Sequence, residues 1–345
     1  MKKLFIVFAA LCLAVPAMAA DWNFYGSARF ATFYTDEDPD VAGEDSVTNL
    51  LWDQQGNSRI GANVKVNDQI SGRFEMSDSF GKRLLYGAYT FGSGYTFQIG
   101  QDYTPSSSYF YSNSVFDGDG DLLGVGAFYV GRVPMVQLKL GGMKLAAIRQ
   151  NTPAVAGGFT ETETMLPKLE VSYGYKADNF FVDVFGGYQT YEAKNGAGAD
   201  FDIDSYVLGI GGGVNFGPVY FKAGVNMGEN YGNYGAYNPG GLRSAAVVDA
   251  GGTLRDTDNL GFLAVLGFKA SDMMTFEAGY GYQEAELDVA GSEADEVEQY
   301  YLQAVIGITQ GFFVVPEIGM QNFKTGGEAN EPETFYLGAK WQINF

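Results

Sequence analysis

The final stretch, residues 335 to 345 (FYLGAKWQINF), carries two surfaces of opposite character in strict alternation. Phe335, Leu337, Ala339, Trp341, Ile343 and Phe345 are all apolar, whereas Tyr336, Gly338, Lys340, Gln342 and Asn344 make up the other set. Only an extended backbone sends successive side chains to opposite sides, so this stretch is a β-strand between two different solvents. A tilted strand of about 9 to 11 residues crosses the hydrocarbon layer of a bilayer. Trp341 and Phe345 fall where aromatic girdles sit on such strands. A soluble sandwich shows the same alternation, and the rest of the chain has to separate the two.

The same alternation returns along the chain. Ile60, Ala62, Val64 and Val66 form one uncharged set, as do Leu169, Val171, Tyr173 and Tyr175, and Val219, Phe221, Ala223, Val225 and Met227. Met274, Phe276, Ala278, Tyr280 and Tyr282 continue it, followed by Tyr300, Leu302, Ala304, Ile306 and Ile308. The intervening positions hold Asn63, Lys65, Lys168, Glu170, Ser172, Lys222, Asn226, Glu277, Gln283, Gln299 and Gln303. A charge facing lipid at mid-membrane costs about 2 to 4 kcal/mol, so the charged parity faces inward. A dry core does not hold so many unpaired charges, and the interior is therefore wet. The competing architecture is a barrel whose lumen is filled by a polar network and does not conduct.

Short connections are expected at residues 66–69, 91–94, 132–134, 176–179, 216–218, 270–272 and 309–311, each rich in Gly, Pro, Asn or Asp. Seven such turns, with a strand at each end, predict an all-β transmembrane antiparallel β-barrel of about 16 strands, with short periplasmic turns and long extracellular loops. Segments 123–131, 201–215 and 312–322 are less regular, and Pro316 interrupts the last. The acid-rich connections 35–49 and 284–298 suit a solvated rim that enriches cations at the mouth. The longest, 229–258, has the composition of a lid, a subunit contact or an exposed loop.

Residues 1–19 read as a signal peptide: Lys2 and Lys3, an apolar run, Pro16, then Ala17-Met18-Ala19. The barrel then occupies 20–345. Cys12, the single cysteine, is preceded by Leu11 where a lipoprotein signal needs a small residue, which argues against a lipid anchor. With Cys12 removed, no disulfide is available and stability rests on hydrogen bonds and burial. The 48 glycines, 27 phenylalanines and 23 tyrosines suit close strands and interfacial belts. A formal charge of −20 argues against nucleic-acid binding.

The chain has no histidine, so Ser-His and Asp-His hydrolase chemistry is not expected and the protein reads as no enzyme. Gly209 to Gly213 lacks the lysine of a phosphate loop. Asp117-Gly118-Asp119-Gly120-Asp121 invites a calcium reading but fails the EF-hand spacing at Leu122 and Phe128, so no metal or cofactor is assigned.

Residues 83–105 (RLLYGAYTFGSGYTFQIGQDYTP) resemble the general bacterial porins, in which an arginine-led strand, a Phe-Gly turn and a strand ending in Gly-Arg-Gln precede the third loop. The resemblance implies an outer-membrane homotrimer conducting small hydrophilic solutes and ions, set in outer-membrane lipid. It also implies a third loop folded into the lumen at about 104–123, with Asp117, Asp119 and Asp121 facing a basic wall. The inward parity supplies that wall as Arg29, Arg59, Arg73 and Arg83. The same lumen arginines have a second reading, as partners of Glu75, Glu170 or Asp183 that only solvate the interior. Gln101 and Asp102 depart from the Gly-Arg-Gln pattern and weaken the basic wall. Phe345, with Trp341, resembles the signal read by the outer-membrane assembly machinery. Two alternatives stand beside the diffusion channel: a substrate-specific channel with Tyr109, Phe110 and Tyr111 as a binding track, and a non-conducting barrel acting as an adhesin or structural surface protein.

Overall fold

The computed structural model describes residues 20–108, 111–116, 125–152, 159–195 and 199–345. They form a closed antiparallel barrel of 16 strands. The strands are β1 (Asp21–Asp38), β2 in two pieces (Val47–Gln54 and Arg59–Lys65), β3 (Ile70–Ser77), β4 (Lys82–Thr90) and β5 (Thr96–Tyr103). Then come β6 (Arg132–Leu140), β7 (Met143–Ile148), β8 in two pieces (Phe159–Glu163 and Lys168–Lys176), β9 (Phe180–Asn195) and β10 (Asp200–Phe216). The last six are β11 (Val219–Glu229), β12 (Thr257–Lys269), β13 (Met274–Leu287), β14 (Asp295–Thr309), β15 (Phe312–Lys324) and β16 (Glu333–Asn344). β16 pairs back onto β1, from Ser27↔Asn344 to Asp38↔Glu333, so no edge is left open.

The alternation has the predicted hand. Ile60, Leu169, Val171, Phe221, Met227, Leu302, Leu337 and Ile343 are exposed on the outside, where lipid supplies their solvent. Lys168, Glu170, Asn226, Glu277, Gln283, Gln299 and Gln303 are buried on the inside. No helix among the described residues is long and apolar enough to cross a membrane.

Six of the seven expected turns join neighbouring strands. The seventh is corrected. Arg132, Val133 and Pro134 do not turn; they open β6, with Tyr103↔Arg132 and Gln101↔Pro134 in register. The reversal comes later, at Gly141 and Gly142, where Gly141 has φ +63°, a value a side chain disfavours. Proline drew the turn assignment away from the glycines, yet it is tolerated near the end of a strand, where its carbonyl still accepts the Arg149 N–H at 2.9 Å. Pro316 is accommodated similarly: it pairs with Ala339 on one side, while on the other the ladder is interrupted between Gln303↔Glu317 and Ile306↔Val314. Segment 201–215 is regular strand, whereas the described part of 123–131 is not.

The acidic connections are shorter than their composition suggests because the strands run into them. Glu284, Glu286, Glu296 and Glu298 lie on β13 and β14, and only 288–294 connects these strands. Between β3 and β4 the connection is the tight 78–81.

Candidate functional site

The lumen has three sectors. The first lies on β1 to β6 and is basic. Glu75, 1% exposed, accepts hydrogen bonds from Arg83 Nε (2.7 Å), Tyr25 Oη (2.9 Å) and Arg73 Nη2 (3.1 Å), and Arg59 Nη1 lies 3.6 Å away. Arg83 reaches this carboxylate through a bulge: Glu75 pairs with Leu84 and Met76 with Lys82, leaving Arg83 as the extra residue. Three of the four arginines singled out in the sequence therefore meet on one carboxylate, and the cluster keeps excess positive charge. Arg29 is on the adjacent strand, its Nε donating to Ser27 Oγ at 3.2 Å. Arg73 also lies over the Tyr25 ring at 5.2 Å.

Arg132 belongs to this sector and was hidden by its assignment to a turn. Its guanidinium lies over the Tyr103 ring at 5.3 Å, and its charge acts on Tyr129 nearby. Burial pushes the Tyr129 hydroxyl up and Arg132 opposes that shift, so the tyrosine stays a neutral donor beside the basic wall.

The second sector is the segment between β5 and β6, which runs from 104 to 131. Its described residues bond to side chains of the inner wall. Ser106 donates its N–H (2.9 Å) and hydroxyl (2.8 Å) to Glu170, and Asn113 donates its N–H (2.8 Å) and Nδ2 (2.7 Å) to Glu277. Glu317 accepts from Val115 N (2.8 Å) and Ser114 Oγ (2.9 Å), while Gln55 donates to the Val115 carbonyl at 3.2 Å. Phe116 stacks on Tyr336 at 3.8 Å and meets Phe33 edge-on at 5.4 Å. Glu170, Glu277 and Glu317 are thus tethers for backbone donors, each nearly dry. Alternation marks Glu170 and Glu277 as inward without revealing what they hold, and it leaves Glu317, in the irregular segment 312–322, unmarked.

Tyr111 is buried, stacked on Phe181 at 5.9 Å with its hydroxyl 3.3 Å from Asp183. Such packing is no binding track. Tyr109, Phe110, Asp117, Asp119 and Asp121 lie outside the described residues.

The third sector holds part of the connection 230–256. A one-turn α-helix in it, α1 (Tyr231–Tyr234), buries Tyr231, Asn233 and Tyr234 against inward side chains of β8 to β11. At the seam of the barrel, Gly26 and Phe345 exchange backbone hydrogen bonds of 2.7 and 3.0 Å, and Trp341 Nε1 donates to Thr32 Oγ1 at 3.0 Å.

A closed barrel with a lipid-compatible exterior and a charged, loop-narrowed interior defines a membrane channel. The chain belongs to the Gram-negative porin family, whose model matches residues 6–326, and it is an outer-membrane channel protein. Comparison with curated sequences found no match. Among solved structures, the outer membrane channel DcaP of Acinetobacter baumannii is similar at a TM-score of 0.73, with 18% identity over 94% of this chain and 97% of that one. An anion-selective porin from Comamonas acidovorans is similar at 0.63, with 13% identity over 94% and 100% of the two chains. The trimer form of OmpT from Vibrio cholerae gives 0.58, with 16% identity over 95% and 100%. At these identities the likeness concerns the fold.

Proposed function

We propose that this porin is a passive diffusion channel whose narrowest part lies between the Glu75-centred arginines and the 104–131 segment. The observation that carries it is the asymmetry of the lumen. The segment is tethered through Glu277 and Glu317 on β13 and β15, while Arg73 on the other side keeps a third of its side-chain surface open to solvent. Solvent reaches the arginine cluster on that side, where three guanidiniums outnumber the one carboxylate. Fixed charges at a narrow wet gap set ion preference, and this cluster favours anions; the fold likeness to an anion-selective porin agrees with that direction.

On this reading Arg29, Arg59, Arg73, Arg83 and Arg132 form the basic wall, and Asp117, Asp119 and Asp121 face it from the segment. Residues 1–19 are the removed leader, Trp341 and Phe345 serve assembly, three copies form the working unit, and no catalysis takes place. The existence of a trimeric OmpT on the same fold supports the trimer. The test is replacement of Asp117, Asp119 and Asp121 by Asn, followed by reversal potentials in a salt gradient. A shift toward anions is expected; unchanged selectivity would remove this segment from the constriction.

A further inference from the structure

We propose that residues 230–237 are a second lumen insert, in which Tyr231 and Tyr234 act as positioning residues: they clamp the returning arm of the 104–131 segment and keep Lys168 out of the conducting path. The proposal rests on the channel reading for its effect on conduction and on the geometry alone for the clamp.

The entry of the insert is fixed. Asn230 adopts φ +55°, and its Nδ2 donates to Asp204 O and Asp256 Oδ1, both at 2.8 Å, while its Oδ1 accepts the Thr257 N–H at 2.9 Å. This polar knot turns the chain inward at the end of β11, and α1 follows at once. Asn233 then holds the insert to the wall: its carbonyl accepts from Gln189 Nε2 at 2.9 Å and its Nδ2 donates to Tyr191 Oη at 2.8 Å.

Tyr234 covers Lys168. The lysine is fully buried, its Nζ 4.3 Å from the Tyr234 ring centre and 2.9 Å from the Tyr234 carbonyl. A buried ammonium is costly unless paired, and here one residue supplies both a π-face and an acceptor, with Glu170 nearby. The Tyr234 hydroxyl donates to Glu170 at 3.0 Å, and burial raises its pKa well above the ordinary value, so it remains a donor. The wall accommodates the ring because residue 187 is glycine: a Cβ there would stand 1.9 Å from the Tyr234 hydroxyl. Without the ring, Lys168 would face lumen water, whereas Glu170 would stay held by the Ser106 N–H and hydroxyl.

The insert also grips the neighbouring segment. Phe128 lies 4.8 Å from Tyr231 and 5.6 Å from Tyr234, ring to ring, and 5.9 Å from Phe185 on β9. Tyr237 N donates to Tyr129 O at 2.7 Å. Glu170 serves both inserts, accepting Ser106 with one oxygen and Tyr234 with the other. The two therefore pack as one unit, and the free lumen is displaced toward the arginine side.

The test exploits the single cysteine, Cys12, lying ahead of the barrel. In folded Lys168→Cys protein, a membrane-impermeant charged thiol reagent should react slowly. Reaction of Lys168→Cys/Tyr234→Ala should be faster by roughly tenfold or more, since a buried group reacts only through local opening. Lys168→Cys/Tyr234→Phe, which keeps the ring, should stay protected. Equal rates in all three, with folding verified by circular dichroism, would overturn the masking of Lys168. In bilayers, Tyr234→Ala should raise conductance and shift selectivity toward anions, and adding Lys168→Met should abolish the selectivity shift but not the conductance gain. Unchanged currents in Tyr234→Ala would overturn the clamp, whereas a silent wild-type channel would sink the channel reading and leave the thiol reaction to decide this one.

Discussion

Replacing Glu317 with glutamine tests the tether most locally. Glu317 is 2% exposed and accepts three hydrogen bonds, from Val115 N at 2.8 Å, Ser114 Oγ at 2.9 Å and Tyr336 Oη at 3.0 Å. Glutamine keeps the shape and one acceptor oxygen but puts an NH2 group where the second oxygen stood. One of the two donors from the 113–115 stretch then faces another donor. A hydrogen bond to a charged group contributes about 1.5 to 3 kcal/mol, so the undocked population of this stretch should rise roughly 10- to 150-fold. Glu277 still holds Asn113, which keeps the barrel and most of the segment in place. The expected phenotype is a channel of near-normal mean conductance with many more brief current excursions in single-channel records. A trace as quiet as the wild type would refute the assignment of Glu317 as a tether.

Glu75→Gln should leave the guanidiniums of Arg59, Arg73 and Arg83 without their shared counter-charge. One charge acting at about 7 Å through water is worth about 0.6 kcal/mol on each ion, so the anion-to-cation permeability ratio should rise by roughly sevenfold in dilute salt and by much less near 1 M, where screening is strong; reversal potentials at both salts check it, and a shift toward cations would contradict the basic-wall account. Deleting Phe345 removes both backbone bonds to Gly26 at the seam and should leave unfolded or periplasmic protein on cell fractionation; normal surface insertion would reject the assembly role.

Much of the barrel was legible because a lipid exterior enforces one rule on every strand: the sets beginning at Ile60, Leu169, Val219, Met274 and Tyr300 all emerged facing outward. What alternation conceals is anything that breaks or outlasts it. The turn at Gly141 was lost to the more conspicuous Pro134, although proline in a strand forfeits only one ladder bond. Arg83 meets Glu75 only because a bulge adds a residue, and the sequence alone does not locate that bulge. Glu277 was visible as an inward charge and Glu317 was not, because it lies in the irregular segment 312–322; their partners, Asn113 and Val115, are more than 150 positions away and donate through backbone groups that no sequence pattern marks. The stretch 230–256 was ambiguous for the same reason: Tyr234 differs from any exposed loop tyrosine only in having Lys168, Glu170 and Gly187 opposite it in space.

The central claim is that this lumen conducts passively and that its arginines govern selectivity. The measurement that tests it is single-channel current through the purified, folded protein in a planar bilayer under a salt gradient. The account predicts ohmic openings that close in three equal steps, with a reversal potential on the anion side. Absence of any current from protein shown to be folded would contradict the channel, and a reversal potential firmly on the cation side would contradict the role of the arginine wall.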